Sequence, residues 1–301
     1  MAKPILICCR DPGAAEVVAA WVKRNPRKSF SFLLEGPAAK IFKRRLGDIS
    51  ILTEVDATSE DRHYSKLVTG TSWSTDLEKR VRAWAKSRGL RTATFLDGWV
   101  NYPTRFEVNG RLELPDEIFV YDQKAKEICE TQLPNANVTI TDNPHWEDVY
   151  NEVKAWEKAS NENIRHGIRL LFVSQPISDV AKRLTGSAEG YGYTEYSALA
   201  AYITYVKPEL PKIEEFRLRA HPSEDPLKYR DYFEKNFPDL RVSISTNEDL
   251  TKDLAWADWV VGMDTMAMVL ALKSNRKVFS CIPAGGRPME IPIPGIVRLF
   301  G

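Results

Sequence analysis

Short apolar runs alternate with amphipathic stretches along the whole chain, and that alternation limits the possible folds more than any other property. In the first half the runs are PILICCR, FSFLLEG, ISILTEV, TATFLDG, EIFVYD and NVTITDN. Stretches of helical periodicity such as AAEVVAAWVKR and STDLEKRVRAWAKSR separate most of them. In the second half IRLLFVS, FRLRAH, LRVSIS, DWVVG and KVFSCIP alternate with helical patterns around TEYSALAAYITYV, around PLKYRDYFEKNF and from Thr265. Successive strands joined through helices lie parallel, and the helices cover both faces of the sheet. One stretch departs from the rule: TRFEVNGRLEL centres on Asn109 and Gly110 and reads as an inserted β-hairpin.

The rhythm stops once, in the polar, Asn-rich end of NPHWEDVYNEVKAWEKASNENIRHG, and restarts at Ile168. With 301 residues the chain exceeds a typical single core. The expected fold is therefore α/β, two doubly wound Rossmann-like domains, residues 1–160 and 161–301, facing each other across a cleft.

Charge and cysteine content remove several classes of function. Forty-two basic residues balance 41 acidic ones, so the net charge of +1 gives no whole-chain argument for nucleic acid. Four cysteines, two of them adjacent at Cys8 and Cys9, form neither a disulfide framework nor a zinc spacing, which points to a reducing, cytoplasmic location. No run reaches the ~18 apolar residues of a spanning helix. The basic cluster Lys40, Lys43, Arg44 and Arg45 reads as a solvated helix face, and it would also suit the inner face of a membrane, leaving peripheral attachment open.

Chemistry should gather where strands end, because ligands of open parallel sheets bind beyond the carboxyl ends of the strands. LLFVSQP delivers Ser174 and Gln175, FRLRAHP delivers His221 followed by Ser223, and the run from Asp258 breaks at Gly262 and starts a helix at Asp264 and Thr265. An amide, an imidazole and a helix N-terminus are groups that hold a phosphate. Taken singly, His221 reads equally well as the polar end of a strand, and Thr265 as an ordinary cap. The loop Gly186 to Tyr196, rich in glycine and aromatics, could cover a ligand but lacks a dinucleotide fingerprint.

In the first half TATFLDGWVNYP places Asp97 at a strand end, beside Gly98, with Trp99 and Tyr102 following as rings that could stack on a sugar. A carboxylate so placed suits a general base; the competing reading is a turn aspartate. Asp11 and Gly13, at the first strand-to-helix turn, could cradle a phosphate or an acceptor sugar, and a plain N-terminal cap explains them as well. The carboxylates and histidine of TDNPHWED fit no standard metal-ligand set, and no P-loop, HExxH, GxSxG or Asp-x-Asp pair is present. The expectation is a site without metal or resident cofactor, the nucleotide-linked donor being a substrate.

The order of VTITDNPHWED, a strand ending in Gln-Pro, one ending in His-Pro, and ADWVVGMDT followed by LALKSNRKVFSCIP resembles bacterial glycosyltransferases of the GT-B architecture. The paired Gln-Pro and His-Pro sequences look most like capsule Kdo transferases, and the His-Pro is also similar to that of bacterial sialyltransferases; both groups use CMP-activated acidic sugars. The resemblance covers residues 138 to 283 in layout. It implies that residues 161–301 bind the nucleotide sugar, with His221 and Thr265 at the phosphate, and that residues 1–160 face the acceptor. It also implies that Asp97 is the base. Leu96 stands where the sialyltransferase motif has a second acidic residue, and Asp264 where a small hydroxyl residue is common. Such enzymes have a long C-terminal helix returning to the first domain, so the end at Gly301 suggests a truncated C-terminus.

The function expected is transfer of a sugar, Kdo or sialic-acid-like, from a CMP-linked donor to a hydroxyl of a bacterial surface glycan. Asp97 would take the acceptor proton while His221 and the amides near Thr265 stabilise the departing phosphate. One rival keeps the fold and changes the chemistry, an epimerase or hydrolase acting on a UDP-sugar; another, from a different class, is a nucleotide- or sugar-binding protein without turnover.

Overall fold

The computed structural model describes residues 3–72, 75–160 and 167–300. Residues 161–166 of the expected linker lie outside the described residues. The chain divides into two compact units, Met1–His145 and Trp146–Gly301.

The first unit runs β1 (Ile5–Cys9), α1 (Pro12–Lys23), β2 (Phe30–Leu34), α2 (Pro37–Leu46), β3 (Ile51–Leu52), α3 (Glu54–Ala57), β4 (Lys66–Thr69) and α4 (Leu77–Ser87). It continues with β5 (Thr92–Phe95), α5 (Tyr102–Phe106), β6 (Glu107–Val108), β7 (Arg111–Leu112), β8 (Glu117–Val120), α6 (Gln123–Gln132) and β9 (Val138–Ile140). Seven strands form one parallel sheet in the order β3-β2-β1-β4-β5-β8-β9. The centre of the sheet is buried on both faces, as the sequence of β1 requires. Ile7 and Cys9 pack with Val18 of α1 and Phe42 of α2, whereas Leu6 and Cys8 pack with Leu77, Val81 and Ala85 of α4. Successive strand side chains point to opposite faces, so one five-residue run supplies both cores. A fully buried Phe or Leu of this kind contributes roughly 1.5–3 kcal/mol.

β4 was not among the expected strands. Its four residues are too short a run to stand out between Tyr64-Ser65 and Gly70-Thr71, yet it pairs with both β1 and β5 at the middle of the sheet. The expected hairpin is β6-β7, and it turns through Asn109 at φ 49° and Gly110 at φ 74°. Both central residues of such a turn need positive φ, which asparagine and glycine tolerate best.

The second unit begins on α7 (Pro144–Ala159), followed by β10 (Ile168–Val173), α8 (Ile177–Thr185), α9 (Glu195–Val206), a 3-10 turn (Lys207–Lys212), β11 (Ile213–Arg219) and α10 (Leu227–Asn236). Then come β12 (Val242–Ile244), α11 (Leu250–Trp256), β13 (Trp259–Gly262), α12 (Met266–Lys273), β14 (Lys277–Ser280) and β15 (Ile296–Arg298). Its six strands are parallel in the order β12-β11-β10-β13-β14-β15. The division falls at the start of α7 because that helix is fastened to the second unit. Glu157 pairs with Arg276, Lys273 lies 4.4 Å from the centre of the Trp146 ring, and Lys252 lies 4.8 Å from that of Trp156.

Strand order reverses between β1 and β4 in one sheet and between β10 and β13 in the other. At such a reversal the following helices go to opposite faces and leave a crevice at the strand ends. Among the described residues no helix is long and apolar enough to cross a membrane.

Candidate functional site

At the reversal of the second sheet the chain closes the crevice with its own groups. The Gln175 side chain donates from Nε2 to the Asp264 carbonyl at 2.6 Å and accepts from the Asp264 amide at Oε1 at 2.8 Å. Ser174 is buried, its hydroxyl bonded to the phenol of Tyr229. The Asp264 carboxylate accepts from the amides of Glu290 at 2.9 Å and Ile291 at 3.2 Å, anchoring the segment before β15. Burial pushes the Asp264 carboxyl upward, against the pull of those amides. Thr265 caps α12, its hydroxyl accepting from the Ala267 amide at 3.4 Å. Gly262 is required by packing, since a Cβ there would fall 2.9 Å from Val173 Cγ2. Ser174, Gln175 and Asp264 therefore brace the frame rather than lying open to a donor.

His221 is different. It follows β11, is exposed, and belongs to a turn in which the Glu224 amide donates to the His221 carbonyl at 2.8 Å. Glu224 returns the bond, its Oε2 accepting from the His221 amide at 2.8 Å. Ser223 lies at the Nδ1 edge of the ring, its Oγ 2.8 Å from that nitrogen. Partial desolvation pushes the imidazole pKa down, opposed by the Glu224 charge. A groove of about 1170 Å³ runs along α10, β11 and β12, and His221, Pro222 and Glu224 stand in its wall with Arg219, Arg230 and Phe237.

Behind this turn lies a buried charge network with no counterpart in the expected site. Glu224 also accepts from Tyr229 at 2.8 Å, and Lys228 reaches both Glu224 and Glu195 at 2.7 Å. Glu195 holds the start of α8 through the amide and hydroxyl of Ser178, each at 2.9 Å. Burial raises the Glu195 carboxyl, but Lys228 and Ser178 outweigh it and leave the pKa below its ordinary value. The sequence signal was Lys228 four residues after Glu224, the spacing of a helical ion pair. The loop from Gly186 to Tyr196 packs on the chain itself: Arg287 donates its amide to the Tyr191 carbonyl at 2.7 Å and lays its guanidinium 4.5 Å from the Tyr191 ring centre.

In the first unit the candidates converge on the start of α1. Asp97, just past β5, is paired through Oδ1 with Arg105 Nη1 at 2.7 Å, and the same guanidinium nitrogen meets Thr71 Oγ1 at 2.5 Å. A Cβ at Gly13 would overlap Asp97 Oδ2. Gly13 thus makes room for the protein's own carboxylate at a helix N-terminus, where the partial positive charge favours an anion. Asp11 is the cap residue of α1 without a side-chain cap bond, and its carboxylate lies 3.6 Å from Arg10.

Two expectations are corrected here. Trp99 is 5% exposed and donates its indole N–H to Asp122 at 2.8 Å, and Tyr102 is fully buried, its phenol donating to the Gly98 carbonyl at 2.6 Å. Neither ring presents a face to a sugar. Both pin the segment after Asp97, and Asp122 in turn caps α6 through the Ala125 amide.

Missing β4 also concealed its neighbours. Beyond its end lie Thr71 and Ser72, and Ser72 donates to the buried Glu78 of α4 at 2.7 Å. The Arg10 amide reaches the same oxygen at 3.0 Å. Arg82, one turn on, donates to the Arg105 carbonyl at 3.2 Å and lies over the Phe106 ring. Burial pushes the Glu78 carboxyl up and the Arg82 guanidinium down to about 10. Of the basic cluster on α2, Arg44 and Arg45 are engaged by Glu16 of α1, so only part of that face is left to solvent.

No protein-family profile and no curated protein matches the chain. Solved structures do. The UDP-GlcNAc 2-epimerase of Methanocaldococcus jannaschii superposes with a TM-score of 0.61 at 11% identity, over 99% of this chain and 89% of that one. A putative UDP-N-acetylglucosamine 2-epimerase from Listeria monocytogenes gives 0.62 at 11% identity, over 95% and 81%. The wall teichoic acid polymerase TagF gives 0.51 at 12%, over 92% and 70%. At this identity the likeness is one of fold, and the chain has the α/β architecture of two parallel sheets that these solved structures display.

Proposed function

We propose that the protein is a glycosyltransferase that takes a sugar from a nucleotide donor, CMP-linked in preference, and attaches it to a hydroxyl of a bacterial surface glycan. The observation that carries this reading is His221: an exposed imidazole at a strand end, held in a braced turn on the wall of a large groove. His221 and the amides at Thr265 hold the donor phosphate. The bond from the anomeric carbon to the phosphate oxygen breaks, its electron pair leaving with the nucleotide. The acceptor oxygen forms the new bond to that carbon, and its proton passes to Asp97. Arg105 keeps the Asp97 carboxylate in one orientation. No metal is needed in this scheme, because neutral donors and a helix terminus meet the charge on the leaving phosphate. The preference for CMP rests on the Gln-Pro and His-Pro sequences, and an acceptor presented at the inner face of the membrane suits the exposed part of α2.

A thermal-shift panel of CMP, CDP, UDP and GDP tests the donor. A ligand at ~100 times its Kd stabilises by ~2.7 kcal/mol, so the expected result is a clear upward shift with CMP. A shift with UDP alone would overturn the CMP assignment. For the chemistry, Asp97→Asn should abolish transfer while CMP still shifts Tm; unimpaired transfer removes Asp97 from the mechanism.

The likeness to UDP-GlcNAc 2-epimerases favours a second reading, epimerisation or hydrolysis of a UDP-sugar. Incubation with UDP-GlcNAc and no acceptor separates the two, because only an epimerase or hydrolase converts the sugar under those conditions.

A further inference from the structure

The turn after β11 contains a detail that the proposed contact with phosphate does not require. The Ser223 backbone amide points at His221 Nδ1, 3.2 Å away, and an amide can only donate. Nδ1 must therefore be an acceptor, which leaves the ring proton of a neutral imidazole on Nε2. The Ser223 hydroxyl at 2.8 Å adds a second donor to the same nitrogen. Protonating Nδ1 would oppose both. Among the described residues no group bonds Nε2, and the residue is exposed, so Nε2–H is the polar atom offered outward.

The turn is built to keep this arrangement. Pro222 fixes one backbone dihedral, and Glu224 closes the turn twice, by its amide to the His221 carbonyl and by its carboxylate to the His221 amide. The Glu224 side chain is itself only 2% exposed and is held by Lys228 and Tyr229 on α10. The His221 backbone is thereby tied to a helix and, through Lys228 and Glu195, to the start of α8.

We propose that Ser223 and Glu224 are positioning residues that fix His221 as a neutral Nε2–H hydrogen-bond donor, so that the second unit meets a phosphate or carboxylate oxygen with a dipole rather than a full charge. The lowered pKa of the imidazole agrees with this. A neutral donor binds an oxyanion without gaining a proton, and it releases the product nucleotide more readily than an imidazolium would. Ser223 then acts on the histidine and not on the donor. The proposal rests on the reading of His221 as a phosphate contact only for its ligand; the state of the ring is a property of the free protein.

Two experiments test it. Nitrogen-15 NMR of the histidine side chains, without ligand at pH 7.5, should show His221 in the Nε2–H form. Ser223→Ala, with the Nδ1 contact halved, should shift the tautomer ratio toward Nδ1–H by roughly fivefold. Glu224→Ala, which removes the side-chain acceptor of the His221 amide, should shift it in the same direction while far-UV dichroism stays unchanged. An Nδ1–H or imidazolium signal in the wild type, or no response in either variant, overturns the proposal. The second experiment is CMP binding by calorimetry. Glutamine places a neutral N–H close to where Nε2–H stands, so His221→Gln should bind within about threefold of wild type while His221→Ala loses about tenfold. Equal losses in the two would refute the neutral-donor role. Failure of the wild type to bind any nucleotide, with the NMR result intact, would instead remove the phosphate reading and leave the positioning roles standing.

Discussion

The two strand reversals treat their polar residues in opposite ways. In the first unit the expected groups turn inward: Asp97 is paired with buried Arg105 and seated against Gly13, and Trp99 and Tyr102 are consumed by backbone and carboxylate partners. In the second, Ser174, Gln175 and Asp264 are likewise engaged, yet one turn away His221 stands exposed above a buried network that braces it. A polar residue at a strand end is thus evidence of a crevice and not of a ligand. What marks a group offered to solvent is that its supports are buried while it is not.

The sharpest test of that contrast is Lys228→Met. It leaves Glu195 and Glu224 buried without their common cation, and loss of one partner from a buried pair costs about 3–5 kcal/mol. Urea unfolding should show it. The pH dependence has a fixed sign: the Glu195 carboxyl is held below 4.5, so its contribution is present above that value and lost as pH falls through the folded pKa. The wild type should lose this stability on acidification, and the variant should show a flatter curve in that window.

Gly13→Ala follows, at about 2 kcal/mol, because the added methyl must displace the Asp97 carboxylate from the start of α1. An unchanged urea midpoint would mean that Asp97 is not seated there. Tyr102→Phe should cost about 1 kcal/mol by leaving the Gly98 carbonyl without its donor, with acceptor affinity unaltered. A change in acceptor KM at constant stability would restore that ring as a sugar contact. His221→Ala should change stability by less than about 0.5 kcal/mol, since the ring supports nothing else, while the stabilisation by CMP falls to about half, as a tenfold loss of affinity requires.

Much of this was legible in the sequence. The strand-helix alternation gave the α/β class, and Asn109-Gly110 gave the hairpin, because both rest on local rules of period and dihedral. The four residues of β4 carried too little pattern to separate from their flanks, and with that strand went Thr71, Ser72, Glu78 and Arg82. Trp99 and Tyr102 misled for another reason: a ring after a strand has the same composition whether it meets a sugar or a neighbouring carbonyl. The partner of Gln175 lies 89 residues along the chain, beyond any local rule. The strand before His221 was legible from its apolar run, but the bracing of the turn by Glu224, Lys228 and Glu195 draws on three separate elements.

The paired bonds between Gln175 and Asp264 have a meaning of their own. A glutamine amide has the outline of a peptide group, with one donor and one acceptor at the same spacing, and here it forms one more rung beyond the last backbone pairing of β10 with β13. Asparagine is a methylene short, glutamate lacks the donor, and no other natural side chain carries both at that reach. A deep mutational scan read out by protein abundance alone should therefore show position 175 as intolerant as a core leucine, even in a chain stripped of every activity.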